Sequence, residues 1–294
     1  VIQVSGRDAQ DYLQRMTTVQ FKTLTLESVV PGAFLTGRGG VVALGSFRRT
    51  GTETFQFVIS QAEKAKVLDH IEKFHFTEQL DVEDLSSADT FFGCWSEEGS
   101  LASTLGINPS LPTMTPQRVR WGGIEFVAWK DLRRSSLFWI QLQQSFALEF
   151  IKSCQKSGHS FLGRQLFEFF RLEAAVPLSG VELNEKDIIL EGNFDESVAR
   201  NKGCYPGQEV VERIFTYGQV NRKLQRVTLW GEINSSLKLP MAFSLEGKEV
   251  GELVSMEQSP DKQGFFVGLM FVKKEFWNSQ DLWDSQSGLR ARLG

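Results

Sequence analysis

The chain has 294 residues, 41% hydrophobic and 23% charged, with a formal net charge of -4; this is the composition of a globular protein that is long for one hydrophobic core, so two or more subdomains are expected. The acidic balance excludes a general attraction to nucleic acid or anionic lipid and leaves room only for a local basic patch. Cys94, Cys154 and Cys204 are far apart and form no CxxC pair, which excludes a disulfide framework and a zinc or thioredoxin-type motif and fits a reducing compartment. No run approaches the roughly 18 apolar residues needed to span a bilayer, and "VIQVSGRDAQ" lacks the features of a signal peptide. A cytoplasmic protein without membrane or direct nucleic-acid partners is therefore expected, although an opening at Val1 rather than at a methionine leaves upstream targeting open.

"SGRDAQDYLQRM" predicts a helix capped by Ser5, with Ala9, Tyr12, Leu13 and Met16 at helical spacing. "GAFLTGRGGVVALGSFRRTGTETFQFVIS" reads as antiparallel strands joined at "GRGG" and "RRTGTE". In "SQAEKAKVLDHIEKF", Ser60 and Glu63 have the spacing of a capping box, and Leu68, Ile71 and Phe74 mark an expected buried face. "VRWGGIEFVAW" predicts a hairpin and "SLFWIQL" a buried strand; "SFALEFIKSCQKSG" predicts a helix ended by Gly158, and "FLGRQLFEFFRLEAAVP" another ended by Pro177. From about residue 222 short strands alternate with Gly and Pro turns, the pattern of a small β-barrel. The fold class is α+β, divided at 1–80, 81–221 and 222–294.

Two positions bear on chemistry. Glu173 follows Phe169 by four residues and Phe170 by three, so a carboxylate extends a helical apolar stripe; it is either a helix end reaching water or a half-buried acceptor for paired N–H donors. Arg164, Glu168 and Arg171, at i, i+4 and i+7, have the spacing of a solvated ion-pair face. Cys204 in "NKGCYPGQEVVER" is either a small buried hydrophobe beside a turn or a thiol activated by Arg200 and Lys202; none of the three histidines lies near it in sequence. "GRGG" at 37–40 lacks Walker spacing and reads as a hairpin turn, and the histidines lack metal-ligand spacing, so no metal site is expected.

"KGCYPGQE" at 202–209 resembles the signature of the folate-binding YgfZ-type proteins, relatives of the glycine-cleavage T protein, an aminomethyltransferase. "VSGRDAQDYLQRMTT", "RLEAAVPLSG", "ILEGNFD", "GELVS" and "FFVGLMFVKK" resemble further family segments in the expected order. The resemblance implies three subdomains around a central folate pocket, with 1–80 and 81–221 forming the folate-binding body and 222–294 the barrel. It implies tetrahydrofolate or a derivative as cofactor, with Glu173 and Glu191 facing the aminopyrimidinone edge and Arg171, Asn193, Gln208 and Glu209 contributing to binding or orienting the loop. Cys204 becomes the functional thiol, Lys202 and Arg213 tune or position it, and Gly203 and Gly207 permit the tight loop. The T protein carries paired aspartates after its glycine-rich turn, where this chain has Ala43 and Leu44, and the tyrosine of its "LYG" is Ser179 here. Conversely, the T protein lacks the KGCYxGQE cysteine loop, and the resemblance therefore favours the YgfZ branch on both counts.

The function this implies is tetrahydrofolate binding in support of iron–sulfur protein maturation or repair, with iron–sulfur client or assembly proteins as partners and an indirect effect on tRNA modification. A single motif cysteine cannot supply the four thiolates of a usual cluster site, so no bound cluster is implied. A folate-dependent aminomethyl transferase with its acid or base relocated, and a folate sensor or scaffold with a structural Cys204, are the alternative expectations.

Overall fold

The computed structural model describes all residues except 27, 96–99, 135, 233–236 and 287. The chain divides into two compact units, each assembled from separated stretches: Val1–Ala33, Leu44–Phe161 and Asn201–Tyr205 in the first, and Phe34–Ala43, Leu162–Arg200 and Pro206–Gly294 in the second.

The strands β1 (Ile2–Ser5), β2 (Val29–Leu35), β3 (Val41–Arg49), β4 (Thr54–Ile59) and β5 (Asp81–Asp84) form a sheet in the order β2-β3-β4-β1-β5. Its helices are α1 (Ala9–Met16) and α2 (Lys64–Phe74). Fully buried Phe21, Phe47, Phe55 and Phe57 build the core against it, with Phe21 edge-on to Phe47 and Phe55 at 5.9 and 5.3 Å between ring centroids. Such geometry sets the positive ring edge against the negative face. Ser5 does not cap α1, because β1 pairs it with Thr54 and Asp81. Asp8 takes the N-cap position without a side-chain cap bond, its Oδ2 accepting from the Gln79 N–H instead. Ser60 Oγ does accept from Ala62 N–H ahead of α2, but that helix buries Val67 and Ile71 while Phe74 is 37% exposed.

A second sheet, β6 (Asp89–Trp95), β7 (Gln117–Trp121), β8 (Ile124–Lys130) and β9 (Leu137–Gln143), has the order β6-β9-β8-β7. Gly122 and Gly123, with φ of 57 and 87°, make the two-residue β7–β8 turn, since both central residues of such a turn need positive φ. α3 (Ser100–Thr104) accompanies it, and α4 (Ala147–Lys156) ends in Gly158 at φ 84°. Phe126, Phe138 and Phe150 share this core with Cys94 and Cys154.

In the second unit α5 (Arg164–Glu173) stops four residues before Pro177. Ala175 at φ 51°, with Ala175 N–H donating to Leu172 O and Val176 N–H to Arg171 O, forms a Schellman end. α6 (Gln208–Tyr217) occupies a segment for which the sequence reading assigned no helix. β10 (Arg222–Trp230), β11 (Met241–Leu245), β12 (Lys248–Gln258), β13 (Phe265–Lys273), β14 (Trp283–Ser285) and β15 (Arg290–Leu293) close a barrel in the order β10-β13-β12-β11-β14-β15. Trp283, Phe243, Val250, Leu253 and Met270 fill it, as the interior of a small barrel requires. The whole is a mixed α/β fold with a six-stranded C-terminal barrel.

Candidate functional site

The cysteine motif is divided between the units, Asn201–Tyr205 lying in the first and Pro206 onward in the second. In the first unit the loop is anchored to the segment that leaves α1. Lys202 Nζ donates to the backbone carbonyls of Thr17 and Val19, the latter at 2.6 Å, and Gln20 Nε2 donates to the Asn201 carbonyl at 2.9 Å. The Lys202 ammonium also lies 5.1 Å from the centroid of the buried Tyr205 ring. Burial pushes the Lys202 pKa down to about 7. A neutral amine still has two N–H donors, enough for the two carbonyls.

Cys204 is exposed and lines a cavity of about 560 Å³ together with Asp8, Asp11, Gln14, Arg15 and Glu78. The cavity is polar and of mixed sign. Glu78 accepts from Phe76 N–H and from Arg15 at 2.8 Å, and these bonds, the backbone one foremost, lower its pKa to about 2. The other thiols differ in kind: Cys94 and Cys154 are buried, and burial pushes Cys94 up to about 12 and raises Cys154. A nucleophile or electron donor must be reachable as thiolate. Cys204 alone among the three is reachable from solvent.

In the second unit the acidic residues singled out in the sequence are held by arginines. Glu173, at the end of α5 and half-buried, receives Arg226 Nη2 on Oε1 at 2.6 Å. Glu191 is buried; Arg222 bonds both its oxygens at 3.2 Å, and Oε2 also accepts from Ile188 N–H. Arg222 reaches the fully buried Asp187 at 2.7 Å as well. Burial works against the charge of Arg222, but the two carboxylates outweigh it and its pKa is raised. Arg171 is 5% exposed and its guanidinium is engaged by Glu168, Glu182 and the Val176 carbonyl. In place of the solvated ion-pair face expected from its spacing, Arg171 is the centre of a buried network that joins Glu168 to Glu182. Asn193, in the left-handed region at φ 58°, donates Nδ2 to Leu224 O at 2.6 Å.

Gly207 has φ 82°, and a Cβ there would lie 2.6 Å from Gly39 Cα and 2.7 Å from Thr36 O, so the loop is pressed against the "GRGG" turn. Gly203 has neither a left-handed φ nor a neighbour within 4 Å of an added Cβ. Gln208 and the exposed Glu209 open α6, where a carboxylate complements the helix dipole, and Arg213 is exposed on the same helix. Ala43 is fully buried on β3 and Leu44 follows it, so no carboxylate stands there.

Asp187, Glu182, Arg222 and Arg226 escaped the sequence reading. The signal was present for the arginines: positions 222 and 226 of one strand lie on one face, because side chains alternate with period two. Their acidic partners are 31 to 53 residues away along the chain. Among the described residues no group of three or more His, Cys, Asp or Glu is arranged to hold a metal ion, and no helix is long and apolar enough to cross a membrane.

Residues 1–95 match the family model described as the GCVT N-terminal domain. The sequence is 22% identical over 279 residues to "Putative transferase At1g60990, chloroplastic" of Arabidopsis thaliana, covering 93% of this chain and 63% of that protein, so the chain spans less than two thirds of the relative it matches. Its backbone matches the crystal structure of glycine cleavage system aminomethyltransferase T from Bartonella henselae with a TM-score of 0.80 at 17% identity, over 99% of this chain and 81% of that one. The fold is that of the aminomethyltransferase.

Proposed function

We propose that the chain binds tetrahydrofolate or a derivative and acts as an accessory protein in the maturation or repair of iron–sulfur proteins, with Cys204 as its functional thiol. Effects on tRNA modification follow indirectly, through iron–sulfur-dependent modifying enzymes. The observation that carries the reading is the contrast among the cysteines: Cys204 is exposed on a polar cavity within an intact KGCYPGQE motif, whereas Cys94 and Cys154 are buried. The absence of a carboxylate at Ala43 and Leu44 argues against aminomethyl transfer by the aspartates of the T protein.

The acidic residues differ in their fitness for folate. Both oxygens of Glu191 are engaged by Arg222, whereas Arg226 takes only Oε1 of Glu173, and Oε2 has no hydrogen-bond partner among the described residues. An ionised carboxylate can accept two adjacent N–H donors, the pattern on the aminopyrimidinone edge, so Glu173 is the better fit. Lys202 and Gln20 hold the loop that carries the thiol, and in the second unit Gly207 lets the start of α6 approach the turn at Gly39. Client recognition is assigned to the exposed face around Cys204.

Tetrahydrofolate titration of the wild type, Glu173→Gln and Cys204→Ala tests the proposal. The glutamate change is expected to weaken binding about tenfold or more, as for loss of a charged hydrogen bond, and the cysteine change to spare most of it while failing to restore iron–sulfur enzyme activity in a deletion strain. Absence of folate binding, together with full restoration by Cys204→Ala, overturns the reading.

A further inference from the structure

The first unit holds two neighbouring cavities, of about 630 and 660 Å³, that share Arg48, Arg118 and Val127 in their walls. None of their lining residues is among those assigned above to folate or to the thiol loop. Arg48, half-buried on β3, donates Nε and Nη2 to Gln56 Oε1 at 3.2 and 2.6 Å. An amide therefore fixes the guanidinium by hydrogen bonds, while Asp89 in the neighbouring wall attracts it through space. Burial lowers its pKa to about 10, which leaves it charged at neutral pH. Arg118 is exposed on β7 and joins no ion pair among the described residues.

The two cavities differ in charge. The 660 Å³ cavity presents Arg48, Arg49 and Arg118 with the hydroxyls of Ser28, Thr50 and Thr115, and no carboxylate among its described lining residues. Guanidinium groups and hydroxyls together are donors suited to a phosphate. The 630 Å³ cavity adds the acceptors Asp89, Glu125 and Gln141, with Arg120 3.8 Å from Glu125. Gln141 is only 5% exposed; its Nε2 donates to Asp89 Oδ2 at 2.6 Å, while its buried Oε1 has no partner. The bond to Asp89 fixes this orientation, because a reversed amide would set oxygen against carboxylate. A buried acceptor left open is destabilising by about 1–3 kcal/mol, a cost that a small shift of the amide toward an N–H donor in the cavity would relieve. Phe146, partly exposed beside it, offers a flat apolar wall.

We propose that these joined cavities bind a nucleoside monophosphate, its phosphate against Arg48 and Arg118 on the carboxylate-free side and an N–H of its base donating to Gln141 Oε1. Each cavity by itself lies in the size range of small-molecule sites. Calorimetric titration of the full chain with adenosine 5′-monophosphate, adenosine and inorganic phosphate tests this. The monophosphate is expected to bind saturably and more tightly than either fragment. Arg118→Gln, at an exposed position that tolerates the change, is expected to weaken the monophosphate and phosphate about tenfold or more and to leave adenosine unaffected. Gln141→Met is expected to weaken the monophosphate while sparing phosphate. No saturable binding of the monophosphate, binding unchanged in Arg118→Gln, or phosphate alone binding as tightly as the monophosphate overturns the proposal. Folate titration of the same variants keeps the two readings separable, since Arg118→Gln leaves folate binding at its wild-type value.

Discussion

Lys202 gives the sharpest quantitative test of how the thiol loop is held. Its pKa falls from the ordinary 10.5 to about 7 through burial, so between these values the folded state binds fewer protons than the unfolded chain. Stability then rises with pH across that window and the gain is complete above the unfolded value. One pH unit within the window is worth about 1.4 kcal/mol. The whole interval would give about 5 kcal/mol, but partial solvent access screens a half-buried group, and about 2–3 kcal/mol is the expected gain. Lys202→Met keeps the volume and removes the titration, and with it the bonds to the Thr17 and Val19 carbonyls at every pH. Urea unfolding of wild type and variant at pH 7 and pH 10, each analysed for the stability difference, should show wild type gaining on the variant by that amount. A difference that stays within about 0.5 kcal/mol, the scatter of a neutral surface change, refutes the claim that burial governs this lysine.

The loop glycines should separate cleanly. Gly207→Ala is expected to lower stability by more than the roughly 1 kcal/mol of a left-handed alanine, because backbone at Gly39 blocks the new Cβ, whereas Gly203→Ala should stay within about 0.5 kcal/mol; thermal unfolding of both decides it, and equal effects would argue against the loop geometry. Iodoacetamide labelling at neutral pH with peptide mapping should modify Cys204 in the native protein and reach Cys94 and Cys154 only on unfolding, as their burial requires; comparable rates at all three would remove the basis for assigning function to Cys204.

The sequence by itself determined what depends on local chemistry and short periods. The Gly122–Gly123 hairpin, the strands of the barrel and the end of α4 at Gly158 follow from turn residues and alternation. The motif resemblance pointed to the aminomethyltransferase fold that the backbone match shows. Where a neighbour from elsewhere in the chain competed, local rules failed. Ser5 had the residue type of a cap, yet two strands claimed its backbone. Phe74 continued an apolar period but is the last residue of α2, where it stays exposed while Val67 and Ile71 are buried.

Only tertiary structure decided the electrostatics. Arg222 meets Asp187 and Glu191 and Arg226 meets Glu173 because the packing of β10 brings them together, and Arg171 on α5 meets Glu182 because the chain folds back beyond that helix, all at 3.2 Å or less. A charge carries no mark in the sequence of the partner it will find, since the attraction acts through space and falls with distance and solvent screening. The same holds for Cys204: its residue type permits a buried hydrophobe or a reachable thiol, and exposure on the cavity beside Gln14 and Arg15 is fixed by the bonds that tie Lys202 to Thr17 and Val19 across the fold.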